Sequence, residues 1–205
     1  MTVVSNGTNL INNGTLDSAI PTGKMTLIKT LTASGSGTLS FVDGQSSVVF
    51  RDTYDIYVFK FINIHPATDG AKFQVGFRDA GTAYDAIKTT TVFNAVHNEA
   101  GNSSELSYQS GNDLAQSTNF QDLTRNTGNS NDESCSGELT IYNPASTTFV
   151  KHFIAKTNSY FSNDQTENLF ISGYCNLTGY LDGVQFKMSS GNIDAGTIKM
   201  YGIGG

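Results

Sequence analysis

A chain of 205 residues with a formal net charge of −6 and 15% charged residues suits one domain that buries a core without disulfide staples. So few charges cannot clothe many amphipathic helices, and no basic run supplies the footprint nucleic acid demands. No apolar run approaches the roughly 20 residues of a membrane span, so membrane insertion is not expected either.

Residues 1–23 stand apart from the rest. N-G-T recurs at Asn6 and Asn13, too short a series for a solenoid. The segment reads as an N-terminal extended attachment arm closed by Pro21 and Gly23, with Leu10, Ile11 and Leu16 as its anchoring residues. It has neither the basic nor the apolar stretch of a secretory signal, so synthesis in the cytosol is expected.

From Lys24 the hydrophobic period becomes two, and residues 24–205 read as one β-sandwich domain. KMTLIKTL (24–31) has apolar residues on both faces and is expected to be covered on both. GTLSFV (37–42) and the SSVVF run (46–50) flank Asp43-Gly44, a hairpin cue. TYDIYVFKFINI (53–64) is nearly continuous in apolar and aromatic residues, which suits a central strand buried on both faces. AKFQVGFR (71–78) directs Phe73, Val75 and Phe77 inward and Lys72, Gln74 and Arg78 outward. Gly76 then marks a bulge or a close approach.

DAIKTTTVFNAVHNEA (85–100) reads as strand with a helical turn at its end. Residues 101–133 are rich in Asn, Ser, Gln and Asp; so long a loop is either functional or ordered by a partner. Strands resume at SGELTIYN (136–143), TTFVKHFIAKTN (147–158) and NLFISGYCNL (168–177). GVQFKM (183–188) and GTIKMYGI (196–203) look like a closing hairpin across Ser189–Ala195. About ten to twelve short strands with turns between them predict an all-β antiparallel sandwich or jelly roll.

Chemistry-bearing constellations are sparse. His65, His97 and His152 each stand alone, without metal-ligand spacing, and read as surface or hydrogen-bonded strand residues. No nucleophile elbow, phosphate loop or dinucleotide fingerprint is present. Carboxylate pairs such as Asp52/Asp55, Asp69/Asp79 and Asp132/Glu133 could serve glycoside hydrolysis, but any eighteen acidic residues yield such pairs by chance. The expectation is no enzyme and no cofactor. Asn129, Asp132 and Glu133 offer oxygen ligands without EF-hand spacing, so loop solvation is the simpler reading. Tyr84, Tyr108 and Tyr160, on loop-like stretches, could stack on sugars with Asn129 and Asp132 hydrogen-bonding beside them; rim packing is the plain alternative for each. Cys135 and Cys175 are expected to be reduced.

Four phrases carry a resemblance: FKFINIHPATDGAKFQVGF (59–77), SYQSGNDLAQSTNFQDL (107–123), YNPASTTFVKHFIAKT (142–157) and FKMSSGNIDAGTIKMYGI (186–203). Together they resemble virion structural proteins of tailed bacteriophages, of the tail-fibre-like or capsid-decoration kind found in marine phages. The resemblance spans residues 50–203 and brings no catalytic residues with it. It implies a virion component released by host lysis, which contacts other virion proteins and assembles as a homo-oligomer, a trimer suiting a fibre or decoration position. The rival expectation is a lectin-like module that holds a host-surface glycan during adsorption through the 101–133 loop.

Overall fold

The structure, a computed structural model, describes residues 3–5, 8–12, 15–16, 25–161 and 164–204. Thr, Val and aromatic residues at alternate positions fit a pleated surface and leave no helical stripe. Accordingly the described residues hold fifteen strands and no helix. β1 (Val3–Ser5), β2 (Thr8–Asn12) and β3 (Thr15–Leu16) pair antiparallel in a three-stranded sheet. The expected arm is thus, where described, short paired strands. Ile11 is exposed on β2, whereas the side chains of Leu10 and Leu16 lie outside the described residues.

The remaining strands are β4 (Thr26–Thr32), β5 (Thr38–Val42), β6 (Ile56–Pro66), β7 (Phe73–Arg78), β8 (Lys88–Asn98), β9 (Ser104–Tyr108), β10 (Gln121–Asp122), β11 (Cys135–Tyr142), β12 (Lys151–Phe161), β13 (Gln165–Cys175), β14 (Gly183–Met188) and β15 (Ile193–Ile203). They form an eight-stranded sheet in the order β4-β15-β6-β11-β12-β13-β8-β9 and a four-stranded sheet in the order β10-β7-β14-β5. Every pairing between these strands is antiparallel, and the large and small sheets pack as a β-sandwich. The strand order identifies a sandwich without identifying a jelly roll.

Aromatic rings join the layers. Phe186 on β14 lies 5.6 Å and 5.3 Å, centroid to centroid, from Phe59 and Phe61 on β6 of the large sheet. Within its own sheet it meets Phe41 on β5 at 6.2 Å and stacks on Phe73 of β7 at 5.6 Å. Further along, Phe77 of β7 meets Phe153 of β12 at 4.9 Å. All of these rings are buried, and edge-to-face or offset contacts of this kind add to the burial of apolar area.

Four expectations from the pattern are corrected. GVQFKM and GTIKMYGI do not form a hairpin: β14 pairs with β5 and β7, while β15 pairs with β4 and β6. Each strand has an apolar face, and facing one another across the core buries both, which pairing side by side would not ensure. Residues 46–50 are not a strand either. Ser46 and Ser47 take positive φ, which breaks the extended run, and Val48 and Phe50 turn into the core. The Asp43-Gly44 turn does form, but Asp43 uses it to accept the Phe50 amide at 2.8 Å. Finally, β4 and β6 are not covered along both faces: Leu27 and Ile62 stand 51% and 41% exposed, although Val58 on the outer side of β6 is buried. No helical turn closes β8, which runs extended to Asn98.

Candidate functional site

The 101–133 segment needs no partner to order it. After β9, Gln109 donates its amide to Val92 O, and Leu114 O and Ser117 O accept the amides of Thr90 and Lys88. The chain thereby continues the pairing along the β8 edge of the large sheet. It then crosses to the small sheet, where Gln121 and Asp122 (β10) pair with Val75 and Gln74. The segment closes one side of the sandwich, and Leu123, Thr124 and Thr127, which follow β10 within it, are buried.

A pocket of about 550 Å³ lies between this segment and the outer face of the small sheet. Its floor is set by the period-two alternation, which turns Lys72, Gln74 and Lys187 away from the core. Asp122 is the hub: its Oδ1 accepts from Gln74 Nε2 at 2.7 Å, and its Oδ2 from Lys72 Nζ at 2.7 Å and Asn112 Nδ2 at 2.8 Å. Phe120 forms a wall, with Lys187 Nζ 4.4 Å from its ring centroid. That ring is seated on Gly76, where a Cβ would come within 2.6 Å of Phe120 Cζ and 2.8 Å of Tyr84 O. The glycine at 76 is therefore a close approach and not a bulge, since β7 pairs in unbroken register.

Beneath the pocket sits a buried polar support. Gln121 donates to Asn112 O and Asp122 O, each at 2.9 Å, and accepts from Thr90 Oγ1 at 2.7 Å. Thr90 in turn accepts the Leu114 amide at 2.8 Å. Such a support fixes the side chains above it before any ligand arrives.

The other face of interest is the exterior of the large sheet. Phe93 of β8 and Phe170 of β13 are directly paired and stack at 4.8 Å with their planes 6° apart. Lys156 Nζ lies 5.3 Å from the Phe170 centroid, and Tyr108 of β9 pairs with Phe93 from the other side. Leu106 and Ile154, exposed by 75% and 50%, extend this apolar stripe. Beside it a shallow, mostly apolar groove is bounded by His152, Ile154 and Tyr174.

A buried row crosses the core side of the same sheet. Cys175 on β13 stands opposite Lys151 on β12 and Lys88 on β8. Lys88 Nζ donates to Asn119 O at 2.7 Å, and Lys151 Nζ to Phe149 O at 2.6 Å. Burial lowers the pKa of both ammonium groups, because a low-dielectric site disfavours the charge. Burial likewise pushes the thiols of Cys135 and Cys175 up to about 12. Both cysteines are free.

The residues singled out from the sequence are scattered. Tyr160 and Asp132 do meet, lining a pocket of about 380 Å³ at the end of β12 and β13, where Tyr160 Oη donates to Asp164 at 3.1 Å. Asn129 donates to Ala67 O at 3.4 Å, outside that pocket. Tyr108, more than half exposed on β9, donates to Asp113 Oδ2 at 2.6 Å. Tyr84 is half-buried against β7. Among the described residues no three His, Cys, Asp or Glu side chains gather as a metal site. Pattern reading missed Asn112, Phe120 and Asp122, although their segment had been marked by its length; Lys72 and Gln74 were legible as outward-facing and nothing more. No family model, curated protein or solved structure matches the chain.

Proposed function

We propose that this chain is a structural protein of a phage particle, acting by protein–protein contact rather than catalysis, with the exterior of the large sheet as its contact face. The observation that carries the reading is the stripe of Ile154, Phe170, Phe93, Tyr108 and Leu106 across four neighbouring strands, half-buried at Phe170 and exposed at the other four. Contiguous apolar surface of this kind marks interaction sites on soluble proteins. The resemblance of whole strand-turn-strand phrases to virion proteins supports the setting.

The occupant is a second copy of the chain. Eight strands spaced ~4.8 Å apart, five of them eleven residues long and the others seven, eight and five, with a rise of ~3.3 Å per residue, make a face of about 900 Å². A stable interface needs roughly 800 Å² per partner. Lys60 and Glu138, an ion pair on this face, and Lys156 beside them supply both signs of charge, as a self-complementary surface requires. Sedimentation equilibrium tests this. The wild type sediments as an oligomer at micromolar concentration, and Phe93→Asp with Ile154→Asp gives a folded monomer. A wild type that stays monomeric at ~100 μM, a weak interaction by any protein–protein standard, contradicts the proposal.

A further inference from the structure

The geometry points to a carbohydrate site in the pocket on the small sheet, with Gln74, Asn112 and Asp122 as its hydroxyl-binding centre and Phe120 and Lys187 as its wall. This goes beyond the contact face, which lies on the opposite layer of the sandwich.

Charge decides the ligand class first. Both oxygens of Asp122 accept from three donors, and Asp113, the pocket's other carboxylate, accepts the Tyr108 hydroxyl, so neither carboxylate is left unpartnered for a cation. The charge of Lys72 is offset in the same contact, at 2.7 Å, leaving Lys187 as the pocket's one ammonium outside an ion pair among the described residues. That is too little for a phosphate, which clustered or bidentate donors recognise.

The remaining atoms favour a polyol. A carboxylate oxygen cannot accept from an amide oxygen, so the contacts to Asp122 fix the orientation of both amides. Gln74 and Asn112 each direct their NH₂ at Asp122, and their carbonyl oxygens remain as acceptors for hydroxyl donors. Lys72 keeps ammonium hydrogens for hydroxyl acceptors, and Ser189 on the rim adds a hydroxyl. Fixed donors and acceptors interleaved beside one ring match a sugar's hydroxyls and its C–H face. The volume, about 550 Å³, falls within the range of small-ligand pockets. The buried Gln121–Thr90 support holds this arrangement without ligand, which lowers the ordering cost of binding.

The test is a ¹H–¹⁵N titration of the full chain with glucose, galactose, mannose, N-acetylglucosamine and glucuronate, following the side-chain amides of Gln74 and Asn112. At least one sugar is expected to shift both, saturating in the millimolar range. Gln74→Leu on rigid β7, and separately Asn112→Ala, weaken that sugar about tenfold with the far-ultraviolet dichroism unchanged. Lys187→Gln separates acidic from neutral sugars, weakening glucuronate selectively if a carboxylate sits over Phe120. Three results would each overturn the assignment: no sugar moving these amides at ~50 mM, shifts centred on Tyr108 or Tyr160 instead, or undiminished affinity in both variants.

Discussion

Replacing Phe186 by alanine probes the layer arrangement directly, because this ring is the one that four others share. It is fully buried and reaches Phe59 and Phe61 on one sheet and Phe41 and Phe73 on the other. Removing a buried phenylalanine costs ~3–5 kcal/mol through lost transfer energy and the cavity left behind. Partners on two separately braced sheets cannot collapse into the space, so the upper half of that range applies. For a domain of this size each kcal/mol lowers Tm by ~2–4 °C, which puts the expected drop at roughly 10–20 °C. Guanidinium titration followed by near-ultraviolet dichroism should move the midpoint with little change in slope. Phe149→Ala is the matched control: the same substitution, but at a position outside the contact stripe and 70% exposed. Its expected cost is below about 1 kcal/mol. Equal losses at the two positions would refute the placement of Phe186 between the layers.

Three further outcomes follow from the buried groups. The folded state lowers the pKa of Lys88 below the ordinary 10.5, so between those two values the unfolded chain binds more protons and stability rises with pH. Lys88→Met removes this dependence, and its stability relative to wild type should therefore fall as pH climbs toward 10.5 in urea titrations; a constant difference would contradict the burial of a strained cation. Cys135 and Cys175, buried with thiols raised to about 12, should ignore Ellman's reagent in the native protein and react fully in guanidinium, whereas rapid native reaction would place either thiol at the surface. Gly76→Ala inserts a methyl where Phe120 and Tyr84 already crowd; a loss of ~1–3 kcal/mol is expected, and a neutral result would mean Phe120 is not seated there.

The core strands were legible because an apolar face alternates with a polar one: Phe73, Val75 and Phe77 sit inward as their alternation requires, and GVQFKM has the bounds Gly183–Met188 that its pattern suggests, whereas β9, with no buried face, reads as loop. Pairing was less legible. Alternation says which face is apolar but not which layer a strand joins, so β14 and β15 read as a hairpin although they lie in opposite sheets. The positive φ of Ser46 and Ser47 was invisible for a related reason, since at serine it has no sequence mark of the kind glycine supplies. The pocket was legible only as a segment too long to be an idle loop. Asp122 gathers Lys72 and Gln74 from about fifty positions away, and no local pattern encodes a contact of that separation. Tyr108 and Tyr160 stand out in the sequence as lone polar aromatics, yet their hydroxyls are occupied by nearby carboxylates at Asp113 and Asp164.

A spin label at position 154, introduced as Ile154→Cys, reports most directly on the contact face, because the native thiols are buried and escape labelling. Double electron–electron resonance on the purified chain should then give a narrow inter-subunit distance on the order of 20 Å, reflecting two sheets packed ~10 Å apart plus the label arms. An absence of dipolar coupling at concentrations where the chain sediments as an oligomer would place the interface on another surface and contradict the account.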